Sequence, residues 1–362
     1  MKYVIDLCVK YGACPAGPGE FTKRAFVNGK IDLMQAESVA NMVSASSHRG
    51  VNISLNVLRG ALSKKINAMR DKIIDVLSYS EHLLDVSEDD LISSDITYIV
   101  DKTTEIQENV QKLIDNYNTC RIMTSGALVV LCGPSNSGKS TLFNSLVGSD
   151  RAIVNQDPGT TRDLLEAMII INGIPITLVD TAGIRDTEDG VEIEGIRRAE
   201  DYIRGADLVC LITDITLGNK TTEVVDNILL KENNVIKIYN KIDLITTGEL
   251  NKYQRKYSRE LFTSAITGVG LKKLKKRVVN ALNLENNTSE TFGITTPRQY
   301  NAIIKSSAAI SSVLKITNEM PIQLELVSYE LQSALRGIED LLGIKTADEL
   351  LNNMFNSFCV GK

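Results

Sequence analysis

Along this chain the spacing of apolar positions changes twice. Leu55, Leu58, Leu62, Ile66, Met69, Ile73 and Leu77 recur every three or four residues, which predicts one stripe of a long amphipathic helix. Ile99, Thr103, Ile106, Val110, Leu113 and Tyr117 form a second stripe, beyond the acidic break Ser87-Glu88-Asp89-Asp90. Short β-branched runs follow at residues 127–131, 174–179, 208–212 and 235–239, and read as strands buried in a sheet. Helical stretches separate most of them, as βαβ units require. From about residue 285 the helical spacing returns, through Ile303, Ile304, Ile310, Val313 and Leu314 and then Leu331, Leu335, Ile338 and Leu342. A last helix is expected from Thr346, with Glu349 three residues on completing a capping box. At the other end, residues 3–9 read as a strand.

The economical organisation is an α/β domain at about 122–283, inserted between two halves of one helical domain, 31–121 and 284–362. Helices flanking an insert can pack together because domain termini often lie close in space. Three domains in series are the alternative. Asn286-Asn287-Thr288-Ser289, polar and turn-rich, marks the second junction in either case.

Composition narrows the classes. With 362 residues, 43% hydrophobic and 23% charged, the chain is globular and long enough for two or three domains. A net charge of −5 argues against a general polyanion binder, so any nucleic-acid contact must be a local patch. No apolar run reaches the roughly 18 to 20 residues that span a bilayer, and the N-terminus lacks a secretory apolar region. A cytoplasmic protein without membrane contact is the expectation. Six cysteines, Cys8, Cys14, Cys120, Cys132, Cys210 and Cys359, include no C-x-x-C pair, and His48 and His82 lie far apart, so no zinc site or disulfide framework is indicated. Most of these thiols read as small buried hydrophobes, and the histidines as surface or packing residues.

The chemistry is concentrated in the middle. Gly133-Pro134-Ser135-Asn136-Ser137-Gly138-Lys139-Ser140 is a complete G-x-x-x-x-G-K-[ST] loop between a strand and a helical pattern starting at Thr141. Its backbone N–H groups would cradle phosphates at a helix N-terminus. Lys139 would reach the β and γ phosphates, and the Ser140 hydroxyl would ligate Mg²⁺. Asp180-Thr181-Ala182-Gly183 follows a strand, with Asp180 near the metal and the Gly183 N–H facing the γ-phosphate. Between them, Gly159-Thr160-Thr161-Arg162-Asp163 offers Thr161 as a second hydroxyl on Mg²⁺. Asn240-Lys241-Ile242-Asp243 follows another strand, where Asp243 can accept both donors on the Watson–Crick edge of guanine. Adenine has no such donor pair and would leave the carboxylate unpaired. Ser264-Ala265 supplies a backbone contact to the base. These motifs in series select GTP over ATP.

Catalysis is more particular. Ras-type GTPases place a water-orienting Gln after Asp-x-x-Gly, and here Ile184 stands there. Another group must orient water, and Asp186, Glu188, Asp189, Glu192 and Glu194 are nearby, each also readable as part of a solvated acidic loop. No arginine finger is evident, although Arg162, Arg185 or a partner's arginine could serve.

These motifs, with Pro18-Gly19-Glu20-Phe21-Thr22-Lys23-Arg24-Ala25-Phe26, Asn28-Gly29-Lys30-Ile31-Asp32-Leu33 and Gln35-Ala36-Glu37, resemble the MnmE (TrmE) family of tRNA modification GTPases. The ending Phe358-Cys359-Val360-Gly361-Lys362 resembles the family's C-x-G-K tail. The resemblance implies an α/β Ras-like P-loop GTPase domain inserted into an all-α helical domain, preceded by a partial α+β tetrahydrofolate-binding domain at 1–30. It implies GTP and GDP as ligands and hydrolysis stimulated by K⁺, held by Asn136 with Asn155, Asp157 and Thr160. Glu192 corresponds to the glutamate that orients the attacking water. A cation between phosphates neutralises developing charge as an arginine would.

The resemblance further implies an FAD-dependent partner, MnmG (GidA), and addition of an aminomethyl-type group, such as carboxymethylaminomethyl, to the wobble uridine of certain tRNAs. The one-carbon unit would come from a tetrahydrofolate derivative near Lys30 and Lys362, with Cys359 near the uridine in a catalytic or a packing role. Family members form homodimers. They also carry more sequence ahead of the Pro-Gly-Glu-Phe block, so either the start is mis-called or the chain is N-terminally truncated, and truncation would weaken folate binding and dimerisation. Two other functions compete: a GTP-regulated RNA or ribosome assembly factor without covalent chemistry, and an inactive truncated form. Lys272-Lys273-Leu274-Lys275-Lys276-Arg277 could touch tRNA, but Leu271, Leu274, Val278 and Leu282 make it the wet face of a helix.

Overall fold

The computed structural model describes residues 2–85, 93–149, 165–181, 201–217, 234–282, 284, 291–319, 321–344, 351, 354, 355 and 358. Within these the chain divides into two compact units, one of Met1–Ala45, Gly50–Thr124 and Glu290–Lys362, the other of Ser46–Arg49 and Ser125–Ser289. The first is therefore built from segments on either side of the second.

The first unit opens with α1 (Lys2–Lys10) and α2 (Glu20–Val27). The strand expected at residues 3–9 is a helix. A strand needs a neighbour for its N–H and C=O groups, whereas a helix satisfies them internally. Next come α3 (Leu33–Ser44), α4 (His48–Leu58), α5 (Ala61–Leu84) and α6 (Ser93–Ser125). The single stripe expected over 55–77 is thus divided between two helices. Gly60 breaks it, with a φ of 84° that a residue bearing Cβ adopts only under strain. Asp32 starts α3 with a reciprocal capping box to Gln35, at 2.9 Å in both directions.

After the second unit the chain returns in α10 (Pro297–Ile316) and α11 (Leu324–Leu342). Ile66, Ile73, Ile99, Ile106, Val110, Ile303, Ile310, Val327, Leu331 and Ile338 meet in one core contributed by α5, α6, α10 and α11. Ile304, placed on the stripe by its spacing, is instead exposed. A buried polar cluster ties α3 to the same core. Arg298 donates to both carboxylate oxygens of Glu37 at 2.6 and 2.9 Å and to the Asp340 carbonyl at 2.7 Å, while Gln299 donates to Glu37 at 2.6 Å. Such a fork satisfies a buried carboxylate geometrically as well as electrically.

The second unit is a six-stranded sheet. Its strands are β1 (Ala127–Cys132), β2 (Leu165–Ile171), β3 (Ile174–Asp180), β4 (Leu208–Asp214), β5 (Val235–Asn240) and β6 (Leu261–Phe262). The order is β2-β3-β1-β4-β5-β6, with β2 antiparallel to β3 and all other pairs parallel. Helices α7 (Lys139–Ser149), α8 (Thr247–Lys256) and α9 (Leu271–Ala281) accompany it. β4 is buried throughout, as a parallel strand covered on both faces must be. Leu274, Val278 and Leu282 are buried beneath α9 and Lys272, Lys273, Lys276 and Arg277 face solvent, so the lysine run is a wet helix face.

Cys120, Cys132 and Cys210 are buried, whereas Cys8 and Cys14 are exposed. Burial, and beyond it the neighbouring Cys132, pushes the Cys210 thiol up to about 12, so it stays uncharged. His48 and His82 are exposed. No helix among the described residues is long and apolar enough to cross a membrane. The acidic break at 87–90, the junction at 286–289 and the capping box at Thr346 lie outside the described residues.

Candidate nucleotide site

Parallel strands running the same way deliver their carboxyl ends to one edge, where ligands of open α/β sheets bind. That edge gathers the loop after β1, Asp180 ending β3, Asp214 ending β4, Asn240 ending β5 and Thr263-Ser264-Ala265 after β6. The register pairs Leu131 with Asp180 and Asp214 with Asn240, so these groups come level with each other.

The phosphate loop is shaped by residues that accept unusual backbone. Asn136 has a φ of 61° and Gly138 of 90°. At Gly138 a Cβ would overlap the Asn240 amide, so glycine is required by space as well as by conformation. The Lys139 ammonium is held over the loop, donating to the carbonyls of Gly133 at 3.1 Å and Pro134 at 2.9 Å. Ser140 and Thr141 follow in the first turn of α7, where the helix dipole and unpaired N–H groups favour an anion. The Ser137 hydroxyl is buried without a hydrogen-bond partner, the kind of orphan a bound polar ligand would satisfy. Asp180 is fully buried behind the loop, and Thr181 donates its hydroxyl to the Leu131 carbonyl at 3.0 Å.

Asn240 joins this loop to the segment that follows β6. Its amide nitrogen donates to the Ser137 carbonyl at 3.1 Å. Its amide oxygen accepts from the Ala265 N–H at 3.1 Å and the Thr263 hydroxyl at 3.3 Å. Ser145 of α7 adds a second tie, donating to the Ala265 carbonyl at 2.7 Å. Ser264 is buried, its hydroxyl accepting from the Thr267 N–H at 3.2 Å. Asp243 stands exposed in the short 3-10 turn Ile242–Leu244, its carboxylate turned toward solvent where a base could arrive.

Two residues that the motifs did not single out complete the arrangement. Asp214 accepts from the Lys241 ammonium at 2.7 Å and from the Thr216 N–H and hydroxyl at 2.9 and 2.7 Å. Burial works to raise its pKa, but the bonds from Lys241 and Thr216 outweigh that and hold it below the ordinary carboxylate range. An acid ending a buried apolar strand was the available signal, since such a charge needs a partner.

Of the residues expected in a site, Asn136, Ser137, Gly138, Lys139, Ser140, Thr141, Asp180, Asn240, Lys241, Asp243, Ser264 and Ala265 lie in or just after the elements that end at this edge. Lys30 lies elsewhere, exposed just after α2 in the helical unit. There the Pro18-Gly19 turn touches the chain's end. A Cβ on Gly19 would come within 2.8 Å of the Phe355 carbonyl and 3.0 Å of the Phe358 side chain. Phe355 and Phe358 share a small core with Leu33 and Ala36. Asn155, Asp157, Thr160, Thr161, Gly183, Glu192, Cys359 and Lys362 lie outside the described residues, as do Ile184 and its acidic neighbours. Among the described residues no group of three or more His, Cys, Asp or Glu side chains could hold a metal.

A family model described as the MnmE helical domain matches residues 33–359. The tRNA modification GTPase MnmE of Alkaliphilus oremlandii is 34% identical over 369 residues, covering 100% of this chain and 79% of its own length. That of Thermosipho melanesiensis is 37% identical over 362 residues, covering 99% and 80%. Among solved structures, the G domain of the T. maritima FeoB iron transporter is 31% identical and covers 43% of this chain and 98% of its own, with a TM-score of 0.33, too low to bear on the fold.

Proposed function

The chain belongs to the MnmE family of tRNA modification GTPases, and on that premise we propose that it binds and hydrolyses GTP in the course of modifying the wobble uridine of certain tRNAs. The observation that carries the nucleotide part is the Asn240 bridge between the phosphate loop and the Thr263-Ser264-Ala265 segment. It sets the distance between the phosphate cradle and the guanine reader, so that one ligand must engage both. Asp243 reads guanine by accepting N1–H and the 2-amino group. Backbone N–H groups of the loop and Lys139 take the phosphates, and their fixed positions cost no reorganisation as charge develops.

Ser140, with Thr161, offers the hard oxygen donors that Mg²⁺ takes. Asn136, Asn155, Asp157 and Thr160 offer amide, carboxylate and hydroxyl oxygens suited to K⁺, and the turned backbone at Asn136 supports this reading. Bound there, the two cations would neutralise charge on the phosphate oxygens. Glu192 takes the part of the missing Gln and orients the attacking water. For the transfer itself the reading includes an FAD-dependent partner of the MnmG type, a tetrahydrofolate derivative held near Lys30 and Lys362, Cys359 near the uridine, and a homodimer. Support for the folate part is the packing of the Pro18-Gly19 turn against Phe355 and Phe358, which brings the two matching sequence blocks together.

The test is a change of base preference. In Asp243→Asn the side chain gains a donor and loses an acceptor, matching the 2-oxo group of xanthine. Hydrolysis by the variant should shift from GTP to XTP, with GTP affinity down about a hundredfold or more, and turnover of either should be faster in KCl than in NaCl. Unchanged GTP preference would remove Asp243 from base reading, and equal rates in the two salts would remove K⁺.

A further inference from the structure

Past the nucleotide site, the GTPase unit carries a surface on which cations and aromatic rings are interleaved. Lys252-Tyr253-Gln254-Arg255-Lys256-Tyr257-Ser258-Arg259 holds four cations and no acid in eight residues of a chain whose net charge is −5. The first five residues end α8, and the rest turn toward β6. Lys252, Arg255, Lys256 and Arg259 are all exposed, and none is in an ion pair among the described residues. The flanking acids are Glu249, which accepts from the Thr246 N–H and hydroxyl at 2.9 and 2.8 Å and also feels the charge of Lys252, and Glu260, which directly follows Arg259. Like charges at helical spacings of three and four, such as Lys252 with Arg255 and Lys256, destabilise the free helix. α8 buries no residue fully to offset that repulsion.

The aromatic residues on the same segment are ordered. Tyr253 and Tyr257 lie four residues apart on one face, their rings 6.3 Å apart and within 23° of parallel. Behind them Tyr239 and Phe262 stack at 5.4 Å and 16°, with Tyr257 5.2 Å from Tyr239. The Lys256 ammonium sits 5.1 Å from the centre of the Tyr257 ring. Tyr253 and Tyr257 are half-buried against Tyr239, with which Tyr257 also shares a side-chain hydrogen bond.

Cations that neutralise phosphates, interleaved with rings on which bases stack, are what an unpaired RNA strand recognises. We infer that this face of α8 is an RNA-binding surface that takes a single-stranded or loop segment of tRNA, phosphates on Lys252, Arg255, Lys256 and Arg259 and bases against Tyr253 and Tyr257. The inference rests on the tRNA reading above and adds where on the GTPase unit the RNA is held. The α9 ridge, with Lys272, Lys273, Lys275, Lys276 and Arg277, carries more charge but displays a Leu274 and Val278 stripe to its own core and no aromatic ring. It is therefore the matched control.

The experiment uses the full chain loaded with GDP and a fluorescently labelled, unmodified tRNA transcript, with binding followed by anisotropy from about 50 to about 200 mM KCl. Replacing Lys252, Arg255, Lys256 and Arg259 together by Gln should weaken binding about tenfold or more and flatten the dependence of log affinity on log salt by about two to three units. The same number of Lys or Arg→Gln changes on α9 should change affinity by less than about twofold, and GTP hydrolysis without RNA should be unaltered in both. Tyr257→Ala should weaken binding while leaving the salt slope as it was, because stacking releases no counterions. Unchanged binding by the α8 variant, with a wild-type chain that binds tRNA, overturns the surface and leaves the tRNA reading standing. Equal losses from α8 and α9 overturn it in favour of diffuse charge, and displacement of tRNA by polyglutamate as effective as by unlabelled tRNA overturns it in favour of an acidic protein. A wild-type chain that hydrolyses GTP and binds no tRNA overturns the tRNA reading itself.

Discussion

Lys241 adopts a φ of 66°, a left-handed conformation that costs a residue with a Cβ about 1 to 2 kcal/mol. The ammonium's bond to the buried carboxylate of Asp214 holds it there, with the backbone that follows turning to present Asp243. Asp214→Asn keeps the shape and removes the charge. Losing one charged hydrogen bond costs about 1.5 to 3 kcal/mol, so GDP should leave the variant about ten to a hundred times faster, as a fluorescent GDP analogue would report. The pKa of Asp214 is depressed in the folded state. Its contribution is therefore complete above the ordinary carboxylate value and is lost only as pH falls through the lower, folded value. The difference between wild type and variant should then be the same at pH 6 and pH 8, and a difference confined to the alkaline side would exclude this account. The motif residues around Lys241 are legible because phosphate and guanine demand fixed residue types at fixed spacing. Asp214 is not, because its partner is 27 positions away in sequence and only the strand pairing makes them neighbours.

At the scale of elements, α10 and α11 approach closely where Ala302, Ser306, Ala334 and Gly337 face one another. The Ser306 hydroxyl donates to the Ala334 carbonyl at 2.6 Å. A Cβ on Gly337 would lie 2.5 Å from that hydroxyl and 2.9 Å from the Ala302 carbonyl. Alanine is the better helix former by as much as about 1 kcal/mol, yet two packed helices must separate to admit the methyl, at about 1 to 3 kcal/mol. Gly337→Ala should therefore destabilise the helical unit by about 1 kcal/mol, measured by denaturant titration of its helical signal; stabilisation would show that the helices part freely. Elements of this kind were readable where the periodic pattern was long, as in α6, α10 and α11. β2 escaped because Leu-Glu-Ala-Met begins it without a β-branched run, although Asn172-Gly173 announces the hairpin that joins it to β3. Those two residues have φ values of 52° and 81°, the backbone such a turn needs. β6, with two residues, is too short for any periodicity to appear.

For the whole molecule, connectivity couples two units that are otherwise separate cores. The helical unit needs Thr124 and the chain beyond Glu290 together, and the contact is close: a Cβ on Gly293 would sit 2.6 Å from the Cys120 sulfur. With the intervening unit unfolded, that closure spans a loop of about 165 residues, at an entropic cost of about 4 to 5 kcal/mol from chain statistics. With it folded, its structure restrains the span and the cost is smaller. In the proposed function GDP binds the sheet-bearing unit, through groups drawn from the ends of β1, β3, β4 and β5. Saturating it at about a hundred times its Kd adds about 2.7 kcal/mol to that unit alone. Calorimetry should then show two transitions, with one moving up as GDP is raised. The helical unit should melt at a fixed temperature if it melts after its insert, since by then the nucleotide has gone and the long loop is already open. If it melts first, GDP again leaves its midpoint in place, because the insert is folded with or without ligand at that temperature. A single transition that moves as one with GDP would mean that the two cores unfold as one cooperative body, and the division into separately stable units would fail.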